Sequence, residues 1–342
     1  IAHIYERARD IPKAIKTYRE VRKKFPKANI APEAQWTIGL IYESQTQFAN
    51  AAKAFEGMED FKKYDKSPDA IKNSGLIWEA LGKPKKAIKS YQKYVKLFPK
   101  RQDTPNVYFR IGVVHEEEAS KMSGRKAKSE LLKAKKAYRA FAKKYPKVLP
   151  LVVESYARSA KIMRDLKRNK YEAQRLFTKA LESFDKLLES GQKKGTAKYF
   201  AAQSAFLLAE YIYEEFHSVK LEPKTMKNIK LLKKTITTKA ELLAAAEKAY
   251  QDILDFKEPQ WNAAALFRNG LLYYEFARML LDAPLPENIP IDVEDQYRYT
   301  LEQTAAPVQE KSLTAFGYAL RLAHEQKVYS EWSQKSAQFA AK

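Results

Sequence analysis

The side chains suited to acid–base or nucleophilic chemistry are few and scattered. The histidines are far apart in sequence: His3, His115, His217 and His324. The acidic run Glu116-Glu117-Glu118 points successive carboxylates in different directions on a helix, so it does not pair them for general acid–base catalysis. The zinc motif HExxH, a glycine-rich phosphate loop and the nucleophile motif GxSxG are all missing from the sequence. The sequence therefore predicts a protein that is not an enzyme.

The composition narrows the classes of cofactor and fold. The chain has no cysteine, which excludes disulfides, a thiol nucleophile and Cys-ligated zinc or iron–sulfur sites. We accordingly expect no cofactor and no metal. Glycine is scarce, at 10 of 342 residues, and helix-forming residues abound, which favours an all-α fold. No apolar run approaches the roughly 18 residues that a membrane-spanning helix needs.

Positive charge is concentrated in the first part of the chain. The net charge is +22, and residues 1–195 hold 45 of the 63 basic side chains but 22 of the 41 acidic ones. Residues 83–101, "KPKKAIKSYQKYVKLFPKR", contain eight basic side chains and no acidic one. Lysines outnumber arginines by 47 to 16, which argues against specific nucleic-acid recognition because arginine is the better ligand for phosphates and bases.

The elements that position these side chains follow a recurring spacing. Four stretches share a small residue, an aromatic residue four positions later and, in three of them, a proline eight positions after that: Ala14, Tyr18, Pro26; Ala51, Phe55; Ala87, Tyr91, Pro99; and Ala134, Tyr138, Pro146. Gly39 and Gly75 stand twelve residues before Ala51 and Ala87. Small residues let two helices approach closely, and a proline ends the second helix because it lacks a backbone donor.

This spacing resembles the tetratricopeptide repeat, which has small residues at positions 8 and 20, large ones at 11 and 24, and proline near 32. Position 11 is held by Tyr5, Tyr42, Trp78 and His115. The resemblance implies an all-α, right-handed superhelical solenoid of antiparallel helix pairs with a C-terminal helical cap. In this family the aromatic residue at position 24 fills the gap to the next repeat. We expect further repeats to precede Ile1, since the first repeat lacks most of its first helix.

We predict three segments along the chain. Residues 1–147 form regular repeats, the first truncated and the fourth lengthened around a loop near Ser123-Gly124. Residues 148–282 form lengthened helix pairs. Residues 283–342 form a proline-rich connector and capping helices, with three short helices at 292–304, 307–325 and 328–340.

The family resemblance also suggests a partner-binding groove on the first helices of the repeats. Positions 5 and 12 face the concave groove in tetratricopeptide proteins, and here they are occupied by Trp36, Lys72 and Phe109, and by Glu43, Glu79 and Glu116. Two interpretations stay open: ordinary solvated surface, or a groove with aromatic anchors and a ladder of acids. Position 9 is Leu40, Leu76 and Val113, so the asparagine of the family's carboxylate clamp is absent.

A basic face is predicted on the second helices, which in this family form the convex outside. Its residues are Lys85, Lys86, Lys89, Lys93, Lys96, Lys135, Lys136 and Lys143. This face either keeps the protein soluble or contacts an anionic partner, such as lipid headgroups, envelope polymer or an acidic protein. Nucleic acid is disfavoured, because the groove lacks basic residues interleaved with exposed aromatic ones.

The stretch "DAPLPENIPIDVEDQYRYTLEQ" and its surroundings, over residues 200–340, resemble tetratricopeptide proteins of gliding and predatory deltaproteobacteria. The stretch "AIKTYREVRKKFPKANIAPEAQ" is similar to repeats of periplasmic outer-membrane assembly and cell-division proteins. These resemblances imply a scaffold that binds other proteins in a bacterial cell-envelope assembly, with gliding-motility machinery as one candidate, located in the periplasm or at the outer membrane. The alternatives are an outer-membrane assembly adaptor and a cytoplasmic adaptor associated with nucleic acid.

Overall fold

The computed structural model describes residues 1–221, 229–283, 285, 290–327 and 329–341. Over these residues the secondary structure is helical, with no strand. The chain divides into two compact units, Ile1–Val148 and Leu149–Lys342. The predicted all-α fold class is confirmed, whereas the predicted division into three segments stays a prediction.

Eight α-helices form the first unit, together with a short 3₁₀ helix at Gly57–Phe61. They are α1 (Ala2–Arg7), α2 (Ile11–Lys24), α3 (Ile30–Ser44), α4 (Phe48–Glu56), α5 (Ser67–Ala80), α6 (Pro84–Leu97), α7 (Thr104–Ser120) and α8 (Gly124–Lys144). Helices that follow one another in sequence pack together, in the pairs α3 with α4, α5 with α6, and α7 with α8. The predicted loop near Ser123 separates α7 from α8.

Seven further helices are described in the second unit. They are α9 (Leu149–Asp165), α10 (Lys170–Glu189), α11 (Ala197–Ser218), α12 (Ile229–Leu254), α13 (Pro259–Leu281), α14 (Ile291–Glu325) and α15 (Glu331–Ala340). The main pairs are α9 with α10, α11 with α12, and α13 with α14. Most of the predicted proline-rich connector lies outside the described residues.

Three helices of the first unit end in the same way, two residues before a proline. These helices are α2, α6 and α8, and the residues that follow them are Phe25, Phe98 and Tyr145, with φ of −129°, −125° and −124°. A residue that precedes proline is driven out of the helical region by the proline ring. The prolines noted in the sequence therefore set where the second helix of a repeat stops.

The helices of a pair are locked by an aromatic ring that lies on a bare glycine backbone. A side chain added at the glycine would collide with the ring in four pairs: Gly39 with Phe55, Gly75 with Tyr91, Gly112 with Tyr138, and Gly270 with Phe316. All four rings are at most 1% exposed. The small residue at position 8 thus receives the ring at position 24 of the same repeat, which differs from the expectation that this ring fills the gap to the next repeat.

The C-terminal helix α14 is continuous, and the predicted break between residues 304 and 307 is wrong. Pro307 stands inside the helix. Ala305 is fully buried, and it packs with Ala277 and Leu280 of α13; Val308 joins the same cluster from beyond the proline. Apolar packing on both sides of Pro307 therefore offsets the backbone hydrogen bond that the proline removes.

The ring-on-glycine contact predicts opposite effects for two glycine-to-alanine substitutions. Gly75→Ala places a methyl group against Tyr91 and should lower the free energy of unfolding by about 1–3 kcal/mol. Gly317 lies inside α14 with open space around it, so Gly317→Ala should raise the free energy of unfolding by about 0.5–1 kcal/mol. Urea unfolding followed by far-UV circular dichroism measures both. Equal effects at the two sites would show that the register is wrong.

Candidate functional site

The acidic residues at position 12 are hydrogen-bond acceptors for the aromatic residues at position 24. A tyrosine hydroxyl donates to a glutamate in three repeats of the first unit: Tyr18 to Glu6 at 2.9 Å, Tyr91 to Glu79 at 2.9 Å, and Tyr138 to Glu116 at 2.7 Å. A phenol buried without an acceptor costs free energy, so a tyrosine at position 24 needs this carboxylate. The recurrent glutamate is thereby explained by packing inside the repeat.

An arginine of the next repeat completes this arrangement. Arg110 on α7 donates to Glu79 on α5 through Nε, at 3.2 Å, and also through Nη2. The second unit repeats the geometry: Tyr250 donates to Glu210 at 2.5 Å, and Arg268 donates to both oxygens of Glu210 at 2.7 Å. We call each set a Tyr–Glu–Arg triad. The sequence signal for the arginine is its position two residues before a glycine, at Gly112 and Gly270.

The surroundings of the triads favour the protonated forms of the tyrosines and of Arg110. Burial raises the pKa of Tyr91 above its ordinary value, and the charge of Glu79 raises it further. Burial also raises the pKa of Tyr250, and the charge of the adjacent Glu210 raises it further. The pKa of Arg110 is raised mainly because Glu79 accepts its hydrogen bond. Each triad is therefore a charged pair with a neutral phenol, which links the two helices of one repeat to the first helix of the next.

The six residues predicted to line the groove have different environments in the structure. Glu79 and Glu116 are half-buried and already bonded. Glu43 is exposed, because position 24 of its repeat is Phe55, which has no hydroxyl. Lys72 pairs with Asp103 at 2.8 Å and with Asp69 at 3.4 Å, and its pKa is raised mainly by the hydrogen bond to Asp103.

The two aromatic residues at position 5 pack onto the ring at position 24. Trp36 lies 5.2 Å from Phe55 between ring centroids, and Phe109 lies 5.2 Å from Tyr138. Trp36 is half-buried, whereas Phe109 is 8% exposed and also contacts Phe141. The expectation that Phe109 is an exposed anchor is therefore not met, since position 5 faces the partner helix of its own repeat.

Exposed apolar side chains lie at position 9, where the family's carboxylate clamp has an asparagine that this chain lacks. Leu40 is 40% exposed and Leu76 is 48% exposed, on α3 and α5. Leu76 lines a cleft of about 220 Å³ together with Val114 and Glu117 of α7. The sequence signal for these exposed residues is the apolar residue at position 9 on the first helix of each repeat. The repeat does not use this position for its small or its large packing residues. We call Leu40, Leu76 and Val113 the position-9 stripe.

The basic face is divided into lysines that have contacts and lysines that have none. Lys86 lies 4.2 Å from the centre of the Trp78 ring, and Lys93 pairs with Glu59 at 2.8 Å. Lys135 is half-buried and makes contacts of its own. The remaining predicted lysines are exposed and have no ion pair or ring contact within the described part of the chain: Lys85, Lys89, Lys96, Lys136 and Lys143.

The histidines contribute to packing and pairing. His115, at a packing position of its repeat, is half-buried with Nδ1 2.8 Å from Glu130. In the described ranges, no group of three or more His, Asp or Glu side chains is arranged to hold a metal ion. The helices of these ranges also lack the combination of length and apolar composition that a bilayer crossing requires.

Comparison with known proteins identifies the repeats of the first unit. Residues 1–70 and residues 70–101 match family models described as tetratricopeptide repeat. The recognition of these repeats from the spacing of small and aromatic residues is confirmed. Proteins built from such repeats are in general non-catalytic scaffolds that bind other proteins. No curated protein matches the chain.

Several solved structures resemble the chain at low identity. The crystal structure of MamA is 20% identical, with 55% of this chain and 97% of that chain covered and a TM-score of 0.31. A TPR repeats protein from Bacteroides fragilis is 19% identical, with 80% and 98% covered and a TM-score of 0.39. The C-terminal part of a TPR repeat-containing protein from Cytophaga hutchinsonii is 14% identical, with 98% and 97% covered and a TM-score of 0.37. These values are too low to carry a functional inference.

The pairing of positions 12 and 24 predicts a stabilising substitution. Phe55→Tyr should place a hydroxyl near the exposed Glu43, at the same spacing of twelve residues as Tyr91 and Glu79, and should raise the free energy of unfolding by about 0.5–1.5 kcal/mol. In a Glu43→Ala background the same hydroxyl lacks its acceptor, so Phe55→Tyr should instead cost about 1–3 kcal/mol. Chemical unfolding of the four variants measures the coupling, and an additive result would contradict the proposed pairing.

Proposed function

We propose, starting from the tetratricopeptide repeats of residues 1–101, that the chain is a scaffold whose first unit binds a partner protein along helices α3, α5 and α7. The observation that supports this proposal most directly is the position-9 stripe. Leu40 and Leu76 leave 40% and 48% of their surfaces exposed at equivalent positions of successive repeats. Covering such side chains removes apolar surface from water, which favours association with a partner that buries them.

The residues around the stripe indicate the chemistry of the partner. Glu43 is exposed, and Glu117 is 46% exposed beside the cleft that contains Leu76, with one of its carboxylate oxygens 3.3 Å from Arg110. The side chains of the Tyr–Glu–Arg triad, Tyr91, Glu79 and Arg110, are already paired with one another and are not available to a ligand. The partner that fits best is therefore a segment with apolar side chains that cover the leucines and basic side chains that face the glutamates.

We propose further that this scaffold works in a bacterial cell envelope, in the periplasm or at the outer membrane, and that gliding-motility machinery is the assembly to test first. Support comes from the sequence resemblances over residues 200–340. The exposed lysines without a contact, among them Lys89, Lys96 and Lys143, are proposed to face an anionic surface of the envelope. An outer-membrane assembly adaptor remains the second candidate.

Substitutions in the stripe test the binding function. The double variant Leu40→Glu, Leu76→Glu should reduce capture of partner proteins from the native organism by about tenfold or more, because buried anchors dominate interfaces. Phe48→Glu is the matched control, since Phe48 is 42% exposed on α4, outside the stripe. Quantitative affinity capture compares the variants, with melting curves to check that each is folded. Equal capture by wild type and the double variant would exclude the stripe as the binding surface.

Cell fractionation tests the proposed location. A tagged copy expressed from its native locus should be recovered with the envelope fraction. A variant with Lys85, Lys89, Lys96 and Lys143 changed to Gln should be released at lower salt, because each exposed lysine near an anionic surface contributes about 1 kcal/mol. Recovery of the wild-type protein in the cytosolic fraction would contradict the envelope proposal and favour the cytoplasmic alternative. Identical salt dependence of the two proteins would leave the lysines with a solubilising role.

A further inference from the structure

The second unit contains a groove that the repeat pattern does not explain. Helices α10 and α12 both pack against α11 but make few contacts with each other. The space between them, above α11, encloses about 750 Å³. Its apolar lining is contributed by all three helices and by Phe256, two residues beyond α12, and includes Leu181, Leu188, Leu208, Ile212 and Ala249.

The lining residues follow helical periodicity on each wall. On α10 they include Leu181, Phe184 and Leu188, and on α11 they include Leu208 and Ile212. Residues three or four apart share one face of a helix, so α10 and α11 each present an apolar stripe to the groove. Leu188 is 48% exposed, which shows that the unit itself does not cover this surface.

One end of the groove is closed and acidic. The rings of Phe184 and Phe256 meet there, with centroids 5.7 Å apart. Three exposed carboxylates stand around this end, Asp185, Asp252 and Asp255, and none has an ion pair or hydrogen bond in the part of the chain that the structure describes.

Two features make this end a site for positive charge. Asp252 lies in the last turn of α12 and Asp255 directly follows it, where the partial negative charge of the helix end disfavours acids. Two lysines also line the groove: Lys198 is held by Glu258 at 3.4 Å and by the Lys257 carbonyl at 3.1 Å, whereas Lys194 is exposed. Three carboxylates, Asp185, Asp252 and Asp255, therefore share one lysine, Lys194, that has no ion pair in the described part of the chain.

We propose that this groove binds an amphipathic helix of a partner protein, with apolar side chains against α10, α11 and α12 and lysine or arginine side chains beside Asp185, Asp252 and Asp255. A helix fits the site because α10 and α11 already present apolar stripes at helical spacing, and a further helix covers them by the same ridge-and-groove packing. The acidic end sets the direction of the bound helix, since its basic end lies at the closed end of the groove. This surface is separate from the position-9 stripe of the first unit.

A synthetic peptide of about 18 residues, five helical turns long, is a suitable probe. It carries leucine at i, i+3, i+4 and i+7 spacing, lysines at one end and a fluorescent label, and its binding to the full chain is measured by fluorescence anisotropy. A peptide of the same composition with the leucines in alternating order cannot form an apolar helical face, and one with glutamate in place of lysine reverses the charge.

The expected result is saturable binding of the amphipathic peptide and binding at least about tenfold weaker for both altered peptides. Leu188→Glu should weaken binding by about tenfold, and Asp252→Lys by about threefold to tenfold. The matched controls are Leu313→Glu, at a leucine 53% exposed on α14, and Asp295→Lys, at an exposed acid on α14; both should bind like wild type. Far-UV circular dichroism confirms that each variant is folded.

Three outcomes would overturn the inference. Equal binding by wild type and Leu188→Glu would place the peptide elsewhere. Binding that is lost in the Leu40→Glu, Leu76→Glu variant and retained in Leu188→Glu would assign the peptide to the first unit, which supports the proposed function but not the groove. A dimer of the full chain in sedimentation that Leu188→Glu dissociates would assign the groove to a second copy of the chain.

Discussion

Four of the described helix pairs depend on the contact between one aromatic ring and one glycine backbone. With no Cβ at Gly75, the ring of Tyr91 can lie where a side chain would otherwise stand, and the two helices of the pair approach one another closely. The ring is 1% exposed, so it contributes both apolar burial and a fixed separation between helices. Because Gly39, Gly112 and Gly270 receive rings in the same way, the same geometry recurs in both units of the chain.

A tyrosine ring in this position also needs a hydrogen-bond acceptor for its hydroxyl group. Where it is a tyrosine, its hydroxyl is carried into the interior and requires an acceptor, which position 12 supplies as a glutamate. The carboxylate is partly buried in turn, and in two places an arginine from the next repeat satisfies it, as Arg268 does for Glu210. A hydrogen-bonding requirement that arises within one helix pair is thus met in part by a side chain of the neighbouring pair. Where the ring is Phe55, the requirement disappears and Glu43 stays in solvent.

This internal pairing determines which side chains are left for partners. Glutamates and lysines that look available in the sequence, such as Glu79 and Lys72, are occupied by contacts within and between repeats. Exposed apolar side chains are among the surfaces that remain, and two of them, Leu76 in the first unit and Leu188 in the second, have acids nearby. Both surfaces favour partners that combine apolar and basic side chains. The proposed scaffold therefore has two contact surfaces, one in each unit.

The sequence by itself determined the helix pairs and their register, because glycine, alanine, aromatic and proline residues act locally: they set how closely two helices approach and where each one ends. It also determined the concentration of positive charge in the first part of the chain. It could not determine which polar side chains satisfy one another, since Glu79 and Arg110 are 31 residues apart and meet through the packing of successive repeats. Nor could it show that Phe109 is buried, that α14 continues through Pro307, or that α10 and α12 leave an open groove. Those outcomes depend on which helix faces are covered by neighbours distant in sequence, and only the tertiary structure decides that.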